Sequence, residues 1–307
     1  MYNGVINIFK EQGFTSHDVV AKLRGILKQK KIGHTGTLDP YAEGVLPVCL
    51  GNATKICDLL TDKDKTYETV MLLGTHTDTQ DITGTILDEK EVLVNADDVT
   101  KAIMSFVGEY NQIPPMYSAL KVNGKKLYEL AREGIEIERK SRKVIINSIE
   151  IKNIDLEHNE VTMVVSCSKG TYIRTLCSDI GDVLGCGACM KKLLRTQVSD
   201  FTIDNSFKLH EIERLVKECN IDNHIIKVDD IFKDYPRIDI KKEASVLLKN
   251  GNKLGISMVD ISDCNSNTIN NLEDYRYRVY DENGRFTAVY EYNNTYKELK
   301  PVKMFLE

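Results

Sequence analysis

Three glycines and a proline fall within the sixteen residues from Lys31 to Leu46, K-I-G-H-T-G-T-L-D-P-Y-A-E-G-V-L, and nothing else in the chain limits its folding as much. Glycine opens backbone conformations closed to other residues and proline fixes one torsion, so this density predicts a tight irregular loop rather than helix or strand. The loop presents one acid, Asp39, with Pro40 behind it and His34, Thr35, Gly36 and Thr37 ahead. A carboxylate on a rigid loop can be a nucleophile, a base, a metal ligand or a turn residue. Asp-Pro alone is a common turn dipeptide. A phosphate cradle of the Walker type requires Gly-Lys-Ser/Thr, whereas Gly36 is followed by Thr37-Leu38.

The flanks decide what carries the loop. Val5 to Phe9 reads as a strand, and Ser16 as the N-cap of a helix with Asp18 in its first turn. Val19, Val20, Leu23, Ile26 and Leu27 then recur at helical spacing. Val45 to Leu50 reads as a strand, Ala53 to Leu60 as a short helix and Thr66 to Leu73 as a largely buried strand. Tyr67 opens that last strand, a position where tyrosine is usually half-buried with a solvated hydroxyl. Asp97 to Val107 forms an amphipathic helix, and Pro114-Pro115 breaks the chain before a short helix around Leu127, Leu130 and Ala131, closed by Gly134. Lys143 to Ile151 and Glu160 to Cys167 read as strands. Ser168 to Thr175 opens a helix running to Gly185, and Arg174 projects from its first turn, where the helix dipole disfavours a cation unless a carboxylate or phosphate partners it. Lys191 to Phe201 is a further strand and Leu209 to Cys219 a helix. Beyond Asp230 short strands with Asn-Gly turns predict a small β-barrel-like domain, with Asn265 to Asn271 as a polar loop.

A length of 307 residues suits one sizeable domain plus a small one. A net charge of −5 argues against a generic polyanion binder, but local charge does not follow the average. Eight basic residues (Lys121, Lys125, Lys126, Arg132, Arg139, Lys140, Arg142, Lys143) stand against four glutamates between Tyr117 and Lys143. Lys22, Arg24, Lys28, Lys30 and Lys31 lead into the Asp39 loop, and Lys191, Lys192 and Arg195 form a third group. Each alone reads as a solvated face; together they predict a one-sided phosphate-contacting surface. Cys186-Gly-Ala-Cys189 has zinc or redox spacing but no second pair, so it reads as structural. His76-Thr77-Asp78-Thr79-Gln80-Asp81 fits neither an EF-hand nor a zinc pattern. No apolar run approaches a membrane span, and the N-terminus lacks a charged region ahead of an apolar one; the expected location is the cytoplasm.

The loop resembles the catalytic signature GHTGxLDPxAxGxLP of the TruB family of bacterial tRNA pseudouridine-55 synthases. It matches at Gly33, His34, Thr35, Gly36, Leu38, Asp39, Pro40, Ala42, Gly44, Leu46 and Pro47. Met116 to Lys143 resembles the family's RNA-gripping insertion, with Y-S-A-x-K at Tyr117, Ser118, Ala119 and Lys121. Lys169 to Arg174 matches K-G-T-Y-I-R. The loop at His76 resembles R-T-D-T-x-D with histidine in place of arginine, and the usual Lys-Pro has become Lys10-Glu11.

The resemblance implies an α+β fold: a pseudouridine-synthase-like catalytic domain over 1–230, with a mixed, mainly antiparallel sheet flanked by helices and an insertion at about 116–143. It implies a β-rich PUA-like RNA-binding domain over 231–307. It makes Asp39 the nucleophile, Arg174 its ion-pair partner and Tyr67 an active-site aromatic. His34 becomes the filler of the space left by a flipped uridine, and Tyr172 and Leu193 become uracil-pocket residues. Lys10, Lys55, Lys121 and Lys125 become RNA contacts. The implied substrate is the T-arm stem-loop of tRNA, modified at uridine 55 by a monomer without cofactor, metal, obligate protein partner or membrane. Two other readings remain: a catalytically idle tRNA-binding or RNA-folding protein, and a member of the dyskerin branch that works with guide RNA.

Overall fold

The computed structural model describes residues 1–261, 272 and 275–306; the expected loop at Asn265 to Asn271 lies outside them. The chain opens with β1 (Gly4–Lys10), crosses to helix α1 (Ser16–Leu27) and returns through β2 (Ile32–His34) and β3 (Glu43–Leu50). Helix α2 (Cys57–Thr61) precedes β4 (Lys65–Leu73), the hairpin β5 (Thr75–Thr77) and β6 (Ile86–Glu89), helix α3 (Ala96–Met104) and β7 (Gly108–Gln112). A small hairpin, β8 (Lys121–Val122) and β9 (Lys125–Lys126), leads into α4 (Leu127–Arg132). Then come β10 (Arg142–Asp155), β11 (Glu160–Cys167), α5 (Ile173–Leu184), β12 (Ala188–Val198), β13 (Phe201–Thr202) and α6 (Leu209–Lys217).

Among the described residues these strands build a nine-stranded sheet in the order β1-β3-β12-β4-β11-β10-β7, with β2 added to β3 and β13 to β12. The β12–β3 pair is parallel and the other pairs are antiparallel. Strand β4 lies near the middle, and Tyr67, Thr69, Met71 and Leu73 all point into one buried face. Helices α3 and α5 cover that face, with Val99, Ile103, Ile173, Leu176 and Ile180 in its core. At the other end α1 and α6 cover β1 and β3 through Val19, Leu23, Leu27, Ile212 and Leu215.

Three local expectations change. The α1 cap is Thr15, not Ser16: Thr15 and Asp18 form a capping box, and Ser16, now the first helical residue, turns its hydroxyl onto the loop at Leu38. The irregular segment is confined to 35–42, because its ends pair as antiparallel strands with Ile32 opposite Leu50 and Lys10 opposite Gly44. Gly44 is indispensable there; its φ is +108°, and a Cβ would lie 2.2 Å from the carbonyl oxygen of Arg195 on the adjoining strand. Tyr67 does not stand at an edge, since β4 begins at Lys65 and is held on both sides by β11 and β12.

The C-terminal strands β14 (Arg237–Ile240), β15 (Leu254–Gly255), β16 (Val259–Asp260), β17 (Arg276–Tyr280), β18 (Phe286–Asn293) and β19 (Glu298–Met304) form a separate six-stranded sheet among the described residues. Asn283-Gly284 makes the β17–β18 turn as expected, but Asn250-Gly251 closes a short helix, Ser245–Lys249, rather than a hairpin. The two sheets meet through an apolar cluster in which Phe232, Val289 and Phe305 pack with Val5, Val45 and Ile56. Lys303 adds a 2.6 Å ion pair with Asp58. Among the described residues no helix is long and apolar enough to cross a membrane.

Candidate active site

The 35–42 loop is tied down from behind by groups that would otherwise be unsatisfied. Thr35 donates its backbone N–H to the Pro47 carbonyl at 3.1 Å, and Leu38 donates its own to the Ser16 hydroxyl at 2.9 Å. Gly13 N–H and Lys10 Nζ both donate to the carbonyl of Pro40, at 2.9 and 3.3 Å. Leu38 and Ala42 drop into the main core beside Tyr67. Two residues of a short loop thus supply the apolar anchors, and Asp39 between them stays outward with a side chain 40% exposed.

Arg174 meets that acid. Its Nη2 lies 3.1 Å from Asp39 Oδ2, and its Nη1 lies 3.8 Å from Asp81 Oδ2. Further donations reach the carbonyls of Tyr117 at 2.7 Å and Thr79 at 3.3 Å. The carboxylate partner that a cation in the first turn of α5 requires is therefore present twice over, and with two carbonyls it replaces water around a side chain only 4% exposed. The start of α5 is secured by Gln112, whose side-chain amide donates to the Tyr172 carbonyl at 2.9 Å and accepts from the Tyr172 N–H at 2.8 Å. Asp81 is fixed in turn by Thr83, through its N–H at 2.9 Å and its hydroxyl at 2.5 Å, and by the Thr79 hydroxyl at 2.8 Å. These bonds explain the acids of the His76–Asp81 segment; among the described residues no group of three or more His, Cys, Asp or Glu could hold a metal ion.

Tyr67 is 8% exposed, and burial raises the pKa of its phenol. Arg195 stands directly across the β12–β4 pair from it, and the guanidinium acts on the phenol in the direction opposite to burial. Tyr172, the N-cap of α5, is half-buried; burial raises its pKa as well. Leu193 is half-buried on β12 opposite Thr69. His34 sits at the loop's entry with Nδ1 buried and no hydrogen-bond partner, and burial holds its imidazole below the ordinary pKa.

Asp39, Tyr67, Arg174 and Tyr172 are thus brought together, with His34 and Leu193 beside them. The basic residues separate. Lys121 and Lys125 are exposed on the β8–β9 hairpin, whose Asn123-Gly124 turn has both φ values positive. Lys10 is not an accessible phosphate contact: it is 0% exposed, donates to the carbonyls of Phe14 (2.7 Å), Glu11 (3.2 Å) and Pro40, and burial lowers its pKa to about 8. Lys55 is exposed but donates to the Met304 carbonyl at 2.8 Å, at the junction with the second sheet. Arg195, grouped in the sequence with a surface patch, is 1% exposed. Gln112, Asp81 and Arg195 are the residues sequence reasoning missed. Only Asp81 had a visible signal, its place in the threonine- and acid-rich run.

Two family models cover most of this architecture: the N-terminal domain of TruB family pseudouridylate synthase matches residues 24–173, and the tRNA pseudouridylate synthase B C-terminal domain matches 174–233. The solved Cbf5-Nop10-Gar1 complex contains a chain that superimposes with a TM-score of 0.70 at 26% identity, covering 99% of this chain and 85% of that one. The α+β fold with its paired Asp39 and Arg174 therefore falls in the class of pseudouridine synthases, which are isomerases.

The relation is closer than the class. "tRNA pseudouridine synthase B" of Lachnoclostridium phytofermentans is 54% identical over 99% of this chain and 100% of its own length. The protein of the same name from Alkaliphilus oremlandii is 50% identical over 82% of this chain and 83% of its own. The chain belongs to the TruB family.

Proposed function

We propose that this enzyme converts uridine 55 in the T-loop of tRNA to pseudouridine, with Asp39 as nucleophile, acting as a cytoplasmic monomer without an obligate protein partner. The observation that carries the reading is the 3.1 Å pair between Asp39 and Arg174, with the acid open to solvent and the guanidinium buried. The reaction breaks the N1–C1′ bond, turns the uracil and joins C5 to C1′; C5 loses a proton and N1 gains one, so no electron is gained or lost overall. A carboxylate can attack either the sugar carbon or the base ring, and the neighbouring guanidinium aims it.

The target base must leave its stack at a cost of about a few kcal/mol. Tyr67 and Tyr172 offer aromatic faces to receive it, with Leu193 beside them, and His34 stands where the vacated space would be filled. Lys121 and Lys125 on the exposed hairpin suit the phosphates of the T-arm, and the unit from residue 231 onward serves as a PUA-like RNA-binding domain. In the test, tRNA carrying tritium at uridine C5 is given to the protein and to Asp39→Asn. The wild type should release tritium; the variant should bind tRNA and release none. Sustained release by the variant overturns the role of Asp39, and a wild type that binds without release favours the idle RNA-binding reading.

A further inference from the structure

Two arginines are buried beside the pocket, and they are treated differently. Arg174 has two carboxylates. Arg195 has none among the groups that act on it within the described residues, although it is the more deeply enclosed. Its Nε donates to the Val45 carbonyl at 2.7 Å and its Nη2 to the Gly36 carbonyl at 3.4 Å. It stands directly across the β12–β4 pair from Tyr67, whose hydroxyl is its one ionisable neighbour of opposite tendency.

A buried guanidinium without an acid is costly, and carbonyl dipoles offset only part of that cost. The protein could have avoided it with an apolar side chain of similar length. Instead the cation ties the start of the Asp39 loop at Gly36 to its exit at Val45, and faces Tyr67 across the strand pair.

We propose that Arg195 is a positioning residue for the isomerisation, fixing the Tyr67 hydroxyl against the Asp39 loop and favouring negative charge on that oxygen. Its field acts on Tyr67 in the direction opposite to burial, which alone disfavours the ionised phenolate. Arg195 makes no ion pair with Asp39; it acts through the tyrosine and through the two carbonyls. The catalytic half of this inference rests on the functional reading above, while the Arg195–Tyr67 link does not.

The test places 3,5-difluorotyrosine at position 67 and follows its fluorine resonance against pH in the wild-type background, in Arg195→Lys and in Arg195→Met, alongside tritium release and tRNA affinity. Loss of the charge in Arg195→Met should raise the midpoint at position 67 by about one pH unit or more, and Arg195→Lys should restore most of the difference. Turnover in unlabelled Arg195→Met should fall about 10- to 100-fold, the effect of losing a charged hydrogen bond, while the dissociation constant for tRNA stays within about threefold. If Arg195→Met does not fold, Arg195→Lys is decisive, since a lysine keeps the charge but cannot hold both loop carbonyls while facing the phenol: turnover should fall about tenfold at unchanged affinity. An unmoved midpoint in the folded charge-loss variant, or a loss of affinity in place of turnover in either one, overturns the proposal. If the wild type releases no tritium, the functional reading fails, and the fluorine titration still decides the link.

Discussion

Around Asp39 the chain buries Lys10, Lys65, Arg174 and Arg195, whereas on the insertion it leaves Lys121, Lys125, Arg132, Lys140, Arg142 and Lys143 exposed. The same charge serves opposite ends. The buried cations are held by fixed acceptors: Lys65 donates to the carbonyl of Thr61 at 2.6 Å and to that of Lys63, and Lys10 and both arginines are held as described, although the Nε of Arg174 finds no partner among the described residues. Their side-chain entropy is surrendered when the protein folds, and they arrive at the reaction already oriented. The exposed cations hold loose surface partners, such as Lys125 with Glu133 at 3.5 Å with both side chains at least half exposed, pairs that phosphate can replace. In the proposed function the buried cations set geometry and the exposed ones set affinity.

That contrast can be broken by measurement. Arg174→Met leaves Asp39 and Asp81 without their shared partner, and breaking the buried pair with Asp81 costs about 3–5 kcal/mol. We expect turnover to fall by about 10² to 10³ or more with tRNA affinity nearly unchanged; a defect mainly in affinity would erase the distinction. Asp81→Asn keeps the shape and removes one charge, and a loss of about tenfold in single-turnover rate is expected from one charged interaction of about 1.5 kcal/mol.

Lys65 supplies a stability test. Burial lowers its pKa to about 8, so the unfolded chain binds more protons than the folded one between that value and the ordinary lysine value of 10.5. The penalty of the buried charge is fully present below about pH 8 and is relieved as pH rises towards 10.5. Urea unfolding of wild type and Lys65→Met should therefore show the wild type gaining on the variant across that window, and a constant difference would contradict the burial. The smallest effect belongs to the surface: Lys125→Ala should weaken tRNA binding about severalfold and reduce the slope of log affinity against log salt by about one, without slowing bound substrate.

How far the sequence discloses this division depends on locality. The loop could be read because its glycines, proline and acid act within a few residues of one another, and the order of strands and helices followed from apolar spacing. Tyr67 looked half-exposed because its covering strands come from far along the chain, its partners being Val165 and Arg195. Arg195 looked like surface because Lys191, Lys192 and Arg195 form one charged run. A bulge between Met190 and Lys192 shifts the alternation of β12, so Lys192 faces out while Leu193 and Arg195 turn inward opposite Thr69 and Tyr67. Without that extra residue Arg195 would be on the outer face. Gln112 was silent for the same reason, and the acid-rich run around Asp81 did not show its target, since each acts on a helix that begins at Ile173.

The apolar seam that joins Val5 and Val45 to Phe232 and Phe305 bears on how the protein is made. A nascent chain emerging from the ribosome cannot close this seam until its last strand has been translated, although its first strand left the tunnel long before. Until then the outer surface of that first strand stays open to chaperones and proteases, so transcripts cut short near their end should yield polypeptides that are degraded rather than stored.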